Sequence, residues 1–276
     1  MEEKMRFFDS HAHYYDNRFY GEENGQGAEA LLESLFAEGL LGVINVGTNG
    51  NTNRFAIEQA KKFPLMYAAV GIHPEDMAHI EQPLDVQLSE LRALVENAEE
   101  RKRNKIVAIG EIGLDYYWEP YDKIKQRECF EAQLCLAKEV DLPVIIHDRE
   151  AHGDCFETVL KYPEVRGVFH SYSGSAEMAK ELVKRGWYIS FSGVVSFKNA
   201  NKLKEVAASV PSDRILIETD APYLAPHPFR GKINHSGRLI YTAEALAAAR
   251  GVTVEEISKQ TVKNAVTLFD IQNLEG

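Results

Sequence analysis

The feature that most constrains the fold of this chain is a repeated alternation of short apolar runs with longer amphipathic stretches. Most of the apolar runs are continuous, which is typical of strands covered on both faces, as in parallel sheets. Eight of these runs are predicted to be strands: Arg6–Ser10, Gly42–Val46, Met66–Gly71, Ile106–Gly110, Pro143–Ile146, Gly167–Phe169, Tyr188–Ser192 and Ile215–Thr219.

The stretches between these runs show apolar residues at helical spacing with a charged opposite face. At the start of the last of them, Thr253 is followed three residues later by Glu256, which fits a capping box. Five of the stretches are predicted as helices: Ala28–Gly39, Asp85–Lys102, Lys123–Val140, Glu177–Arg185 and Val254–Phe269.

A strand–helix alternation repeated eight times predicts a parallel α/β fold. The 276 residues of the chain match one (β/α)8 TIM barrel, in which eight parallel strands are surrounded by outer helices and which typically has about 250 residues. No Pro/Gly-rich linker divides the sequence, so residues 1–276 are expected to form a single domain. A doubly wound open sheet is the alternative, but no glycine-rich nucleotide-binding motif follows a predicted strand.

The chain is acidic, with a formal net charge of −11. This excludes a protein that holds nucleic acid by positive charge alone, but not a nucleic-acid enzyme, because bound divalent cations would reverse the local potential. No apolar run approaches the roughly 18 residues of a membrane helix, and the first residues lack the layout of a signal peptide. The three cysteines have no CxxC spacing and are expected to be reduced thiols of a cytoplasmic protein.

Histidines and carboxylates are concentrated where the predicted strands end. In a barrel, the carboxyl ends of all strands meet at one mouth, so residues far apart in sequence are expected to converge there. Five of the nine histidines and two carboxylates occupy such positions: His11 and His13 after the first strand, His73 after the third, Glu111 after the fourth, His147 after the fifth, His170 after the sixth and Asp220 after the eighth.

These residue types predict a metal centre. His11 and His13 are two residues apart, so both imidazoles can face one ion. Imidazole with carboxylate suits Zn²⁺, Mn²⁺ or similar ions, and a larger carboxylate share favours Mg²⁺, so the metal stays open. Six ligands are too many for one catalytic ion that keeps an open position, and two divalent ions are expected. We assign His11, His13 and Asp220 to one ion and His147 and His170 to the other, with Glu111 bridging.

A pair of ions about 4 Å apart can hold a hydroxide at neutral pH and clamp both oxygens of a displacement, which indicates hydrolysis of a phosphoester or an acyl bond. Asp220 is the candidate proton shuttle and Glu111 the second catalytic carboxylate. Asp9 is expected to orient a metal-bound histidine from behind. The cluster Tyr116–Trp118 and Tyr223 either stack on nucleobases or pack at the barrel mouth; the sequence leaves both open.

Seven segments, distributed over nearly the whole chain, contain or adjoin the predicted ligands. They are Phe-Asp-Ser-His-Ala-His (8–13), Val-Gly-Ile-His-Pro-Glu-Asp (70–76), Gly-Glu-Ile-Gly-Leu-Asp-Tyr (110–116), Pro-Val-Ile-Ile-His-Asp-Arg-Glu-Ala-His (143–152), His-Ser-Tyr-Ser-Gly-Ser (170–175), Tyr-Ile-Ser-Phe-Ser-Gly (188–193) and Ile-Glu-Thr-Asp-Ala-Pro-Tyr-Leu-Ala-Pro (217–226). In these segments, which run in family order, the sequence resembles the TatD family of metal-dependent hydrolases.

The resemblance implies a TIM barrel of the amidohydrolase kind and a metal-dependent DNase, often a 3′–5′ exonuclease, with a two-metal site. By matching position it implies the same six ligands that strand placement selects. It also implies that Glu218 assists as a carboxylate behind the ligands, and that His73 and Arg149 contact a phosphate. Single-stranded DNA or DNA 3′ ends are therefore the expected substrate, and no membrane or obligate protein partner is expected.

Two departures from the family pattern bear on the substrate. The family usually has His-Pro-His after the third strand, where this chain has a glutamate, Glu75, in the last position. The loop after the eighth strand commonly reads Arg-Gly-Lys-Arg-Asn-Glu-Pro, and residues 230–236 here read Arg-Gly-Lys-Ile-Asn-His-Ser. Neither departure touches a proposed ligand. A small-molecule ester, amide, lactone or aminoacyl-ester hydrolase on the same metal centre is the alternative function.

Overall fold

The eight predicted strands form one barrel. A computed structural model describes residues 6–20, 27–78, 82–272 and 274. Within these ranges, neighbouring strands pair in parallel and in sequence order from β1 to β8. The strands are β1 (Phe8–Ala12), β2 (Gly42–Val46), β3 (Met66–Val70), β4 (Ile106–Asp115), β5 (Val144–Arg149), β6 (Gly167–Phe169), β7 (Tyr188–Phe191) and β8 (Ile215–Ile217).

The barrel closes between its first and last strands, just beyond β8. Ala12 and Ala221 form a parallel bridge. The backbone N–H of Asp220 donates to the carbonyl of His11 at 2.9 Å, and the N–H of His13 donates to the carbonyl of Ala221 at 2.7 Å. Because three candidate ligands, His11, His13 and Asp220, lie at this seam, closing the barrel also places their side chains.

Outer helices connect the strands, as a (β/α)8 barrel requires. The capping box predicted at Thr253 and Glu256 is present. None of the helices in the described ranges is long and apolar enough to cross a membrane. The helices are α1 (Gly27–Ala37), α2 (Gly50–Lys62), α3 (Leu84–Val95), α4 (Ala98–Arg103), α5 (Lys123–Val140), α6 (His152–Leu160), α7 (Ala176–Lys184), α8 (Asn201–Ser209), α9 (Leu239–Arg250) and α10 (Val254–Phe269).

Three predicted elements differ from the observed ones by more than two residues. The helix predicted over Asp85–Lys102 is two helices, because the side chain of Asn97 accepts a hydrogen bond from the N–H of Glu100 and starts a new helix there. The strand predicted to end at Gly110 continues five residues further, and the strand predicted to end at Ile146 continues to Arg149. Both extensions belong to one ladder, since β4 and β5 stay paired to the end of β5.

Two apolar layers hold the barrel together. One cluster draws buried residues from every strand and fills the barrel interior, with the end of α10 packed against it. The other lies between the sheet and the surrounding helices and includes Phe130 and Phe169. With both faces of the sheet covered, the strands are apolar along their length and the polar residues collect at the mouth.

Candidate metal centre

The structure brings the six proposed ligands together at the carboxyl ends of the strands. His11 belongs to β1 and His13 follows it; the others come from β4, β5, the end of β6 and the segment after β8. His11, His13, Glu111 and His170 are buried. His147 and Asp220 keep only about one-seventh of their side-chain surface exposed, at 14% and 15%.

The carboxylate of Glu111 lies at the middle of the cluster, and its two oxygens face different histidines. Oε1 is 2.7 Å from Nδ1 of His147 and 2.8 Å from Nε2 of His170. Oε2 is 3.3 Å from Nε2 of His11 and 3.6 Å from Nε2 of His13. A carboxylate between two pairs of imidazoles has the placement of a bridge between two cations.

Asp220 completes the side of the cluster formed by His11 and His13. Its Oδ1 is 3.3 Å from Nε2 of His13 and 3.6 Å from Nε2 of His11. The two Nε2 atoms are themselves only 3.0 Å apart. Two imidazole nitrogens this close, both directed at the same carboxylate oxygens, form a donor set that fits a divalent cation. Several triads drawn from the cluster have ligand atoms within 4.8 Å of one another.

Three of the four imidazoles are held from behind by acceptors that carry no proton. Nδ1 of His13 is 2.7 Å from the carbonyl of Val46. Nε2 of His147 is 2.9 Å from Oδ2 of Asp115, and Nδ1 of His170 is 3.2 Å from Oε1 of Glu218. In a neutral ring the proton must lie on these outer nitrogens, so the inner nitrogens present lone pairs to the centre. This is the arrangement by which proteins orient metal-binding histidines.

The two carboxylates of the cluster are anionic at neutral pH. Burial alone would raise the pKa of Glu111, but the neighbouring imidazoles, His170 foremost, hold it well below its usual range. Burial would likewise raise the pKa of Asp220, but the hydrogen bond with His13 keeps it lowered. The centre therefore carries the negative charge that a cation would neutralise.

On the other side of the cluster, the contacts of His147 and His170 favour the protonated form of both rings. Burial would lower the pKa of His147, but its hydrogen bonds with Asp115 and Glu111 raise it to about 9. The pKa of His170 is raised well above its usual value, since the attraction of Glu111 outweighs burial. Both rings must lose a proton to serve as ligands, so protons compete with metal for this site.

Two glycines of the segment 110–116 explain how this sequence fits between neighbouring strands. A Cβ at Gly110 would lie 2.6 Å from Cβ of Ile145. Gly113 has a φ of +143°, and a Cβ there would lie 2.0 Å from the carbonyl oxygen of His147. Only glycine allows β4 to approach β5 at the level where Glu111 and His147 must meet.

Sequence reasoning assigned no role to Asp115, which is buried at the end of β4. Its Oδ2 contacts His147. Its Oδ1 accepts hydrogen bonds from the N–H groups of Tyr117 and Trp118 at 2.8 and 3.1 Å. Asp115 stands in the segment that carries the family resemblance. The sequence feature that could have identified Asp115 is its spacing of four residues from Glu111. That spacing is informative only if β4 is known to continue as far as Asp115.

His73 lies beside the cluster and is buried. Its Nδ1 accepts a hydrogen bond from the N–H of Glu75 at 3.2 Å, so the neutral ring carries its proton on Nε2. That nitrogen is 3.4 Å from Oε1 of Glu111. A ring that presents an N–H to the centre acts as a hydrogen-bond donor, a role different from that of the inward lone pairs of the ligands.

Asp9 holds the barrel seam and reaches His11 through the backbone. Its Oδ1 accepts from the N–H groups of His11 and Thr219 at 3.3 and 3.0 Å. Its Oδ2 accepts from the hydroxyls of Thr219 and Ser236 at 2.5 and 2.6 Å. The sequence predicted that Asp9 orients a metal-bound histidine ring. In the structure Asp9 contacts the backbone N–H of His11 and not its ring, whose Nδ1 has no hydrogen-bond partner among the described residues.

The altered loop after β8 therefore has a structural role. Ser236 stands where the family commonly has proline, and it donates its hydroxyl to Asp9 and its N–H to the hydroxyl of Tyr14 at 2.9 Å. Proline could supply neither donor. Asn234 is also buried, and its amide donates to the carbonyl of Thr219 at 2.8 Å.

The remaining predicted contact residues occupy the rim. Arg149 is exposed, and its guanidinium lies 4.1 Å from the ring centroid of Tyr117. Tyr116 is partly buried, and it stacks on Tyr121 and donates its hydroxyl to Asp154 at 2.7 Å. Of the alternatives left open for the aromatic cluster, packing therefore holds for Tyr116.

Comparison with known proteins gives concordant matches. A family model described as TatD related DNase matches residues 8–270. The chain is 42% identical over 267 residues to an uncharacterized metal-dependent hydrolase, YabD, of Bacillus subtilis, covering 96% of this chain and 99% of that protein. Among solved structures, YjjV, a TatD homologue from Escherichia coli K12, superposes with a TM-score of 0.87 at 30% identity, covering 98% of this chain and all of the other.

A more distant likeness extends to enzymes of other chemistry. A mutant organophosphorus hydrolase from Deinococcus radiodurans superposes with a TM-score of 0.63 over 95% of this chain and 92% of its own, at 17% identity. At that identity the likeness shows the barrel fold alone.

Proposed function

The chain belongs to the TatD-related DNase family of metal-dependent hydrolases, and from this premise we propose that it is a two-metal phosphodiesterase that hydrolyses DNA at 3′ ends. The observation that carries the proposal is the orientation of the imidazoles. Three of them are fixed from behind by acceptors, and all four direct a nitrogen toward the carboxylates of Glu111 and Asp220.

The residues divide into two groups around Glu111. His11, His13 and Asp220 would hold one ion on the Oε2 side, while His147 and His170 would hold the second on the Oε1 side. The distances of both pairs of histidines to their own Glu111 oxygen support this division. When bound, divalent ions would supply Lewis acidity for the phosphodiester oxygens and lower the pKa of an attacking water.

The protein's own groups would handle the proton and the substrate. Asp220, anionic and partly open to the mouth, would accept the proton of the attacking water. His73 presents an N–H toward the centre, which supports hydrogen bonding to a phosphate oxygen. Arg149 on the rim of the barrel mouth would contact a phosphate further along the DNA strand.

The test is a nuclease assay on single-stranded DNA labelled at either end. Protein stripped with a chelator should be inactive, and addition of Mg²⁺, Mn²⁺ or Zn²⁺ should restore shortening from the 3′ end. Asp220→Asn should remain inactive with every ion, while Glu244→Gln, a change on α9, should match the parent. Absence of cleavage with all three ions would reject the proposal.

A small-molecule ester, amide, lactone or aminoacyl-ester hydrolase is the second candidate. Glu75 favours it. The family usually has a histidine at this position, two residues after His73, and a carboxylate there would repel a polyanion. A panel of esters, lactones and a chromogenic phosphodiester, run with the same metal-loaded protein, separates the two candidates by relative kcat/KM.

A further inference from the structure

Two aromatic side chains next to the candidate metal centre remain half-exposed. Tyr117 and Trp118 are 51% and 48% exposed, and their rings meet edge to face at 4.9 Å. The guanidinium of Arg149 lies 4.1 Å from the centroid of Tyr117 and 5.3 Å from that of Trp118. We call these three residues the aromatic platform.

The platform is fixed to the centre through Asp115. One oxygen of that carboxylate holds the backbone N–H groups of Tyr117 and Trp118, and the other holds the ring of His147. Arg149 lies two residues beyond His147 on β5 and pairs in register with Asp115. Two strand residues span about 6.6 Å, which is the rise of about two stacked nucleotides. The platform thus lies within one or two nucleotides of the centre.

The positive charge of the Arg149 guanidinium is available to a ligand. It forms no ion pair with any carboxylate in the described part of the chain, although the whole chain has a net charge of −11. On the opposite side of the mouth, Arg18 covers the ring of Tyr223 in a similar way, but it is paired with Asp16 at 2.9 Å. An uncompensated guanidinium stacked on two open rings is suited to a ligand that joins an anion to a flat aromatic group.

We propose that the aromatic platform is a subsite for one unpaired nucleotide adjacent to the scissile phosphodiester, with the base stacked on Trp118 and Tyr117 and its phosphate on Arg149. This inference rests on the proposed function and adds the residues that bind the base next to the cleaved bond. Inside a duplex, neighbouring base pairs cover both faces of each base, and at its end pairing holds the last base to its partner, so an unpaired nucleotide is the one that can turn its base onto protein rings. The platform therefore selects single-stranded ends.

The first test compares an oligothymidylate with the same oligonucleotide carrying abasic residues at its 3′ end. Both present the same phosphates, and only the first offers bases. The parent protein should prefer the base-bearing end by about tenfold or more in kcat/KM, the effect of losing one base–aromatic stack. Trp118→Ala should lose that preference and keep the rate on the abasic end, which also shows that the variant is folded.

Two matched variants separate stacking from other effects. Trp118→Phe retains a ring and should keep most of the preference. Phe55→Ala removes an aromatic side chain that is 60% exposed on α2 and should behave as the parent. An unchanged preference in Trp118→Ala, or a parent that cleaves both ends equally, would overturn the platform while leaving the nuclease proposal in place.

A binding measurement makes the inference independent of cleavage. The chain has two tryptophans, and Trp187 is buried, so Trp187→Phe leaves Trp118 as the emitter at the mouth. Oligothymidylate should quench its fluorescence, and the abasic oligonucleotide should quench it much less. Quenching without cleavage would keep the platform as a base-binding surface, and would reject both the nuclease and the position of the platform beside a scissile bond. Cleavage without base-dependent quenching would reject the platform alone, and absence of both would reject the two proposals together.

Discussion

Replacing Asp115 by asparagine should separate the binding of metal from the stability of the fold. The asparagine carbonyl can still accept the N–H groups of Tyr117 and Trp118, as Oδ1 does now. Its NH2 group, however, would face Nε2 of His147, where the carboxylate now accepts a proton. The ring would then carry its proton on Nδ1, the nitrogen that faces Glu111 and is the proposed metal ligand.

The size of the effect follows from these contacts. Groups that orient a metal-binding histidine typically contribute about 10- to 100-fold in metal affinity, and the wrong tautomer places Asp115→Asn at the upper end of that range. Its free energy of unfolding should change by less than about 1 kcal/mol, because the backbone hydrogen bonds persist. Asp115→Ala also leaves two amides without their acceptor, and we expect it to lose about 2–3 kcal/mol and about 5–10 °C in Tm.

The assay is competition for Zn²⁺ or Mn²⁺ with a chromogenic chelator, run beside thermal unfolding of the metal-free variants. Asp122→Ala is the matched control, since Asp122 also accepts two backbone N–H groups, those of Ile124 and Lys125, but at the start of α5 away from the centre. It should lose about 1 kcal/mol of stability and no metal affinity. If Asp115→Asn bound metal within about threefold of the parent, the assigned tautomer of His147 would be wrong.

Four further predictions concern the same centre. Asp220→Asn should retain part of its metal and lose about 10²- to 10⁴-fold in kcat, measured with elemental analysis of the same sample; a loss below tenfold would remove Asp220 as the proton acceptor. His13→Ala should be purified with less metal per chain than the parent, and equal occupancy would contradict its role as a ligand. Because His147, with a pKa of about 9, and His170, with a pKa well above its usual value, must both be deprotonated to bind, metal affinity should rise about a hundredfold per pH unit from pH 6.5 to 8.5, with proton release seen by calorimetry in buffers of different ionisation enthalpy; a flat profile would refute this. Asp9→Ala leaves the donors of Thr219 and Ser236 unpaired and should lower the free energy of unfolding by about 3 kcal/mol, checked by urea denaturation.

The barrel could be predicted because strand burial is visible in the sequence as continuous apolar runs. The ends of β4 and β5 could not be predicted in this way. Beyond Ile146 the ladder continues through polar residues, with Gly113 paired to His147 and Asp115 paired to Arg149. Apolar runs indicate which side chains are buried in an apolar environment. The strand ladder depends instead on backbone hydrogen bonds, and polar side chains at the mouth do not interrupt them.

The identity of the residues at the mouth could be predicted for a related reason. Parallel strands deliver their carboxyl ends to one place, so residue type and strand order alone collect the histidines, Glu111 and Asp220. What strand order does not give is direction. Which nitrogen of each ring faces inward depends on a partner that can be a backbone carbonyl, as with Val46 behind His13, and a carbonyl leaves no trace in the sequence.

Direction is also what distinguishes a metal centre from a buried polar cluster. Four imidazoles and two carboxylates could satisfy one another by hydrogen bonds alone, with some rings turned to donate inward. Here His13, His147 and His170 each place a proton on the outer nitrogen, because a carbonyl or carboxylate accepts it there. His73, whose Nδ1 accepts from the backbone, is the neighbour that donates inward. The same buried mouth thus provides lone pairs for cations and one N–H beside them, which is an arrangement suited to the hydrolysis that we propose.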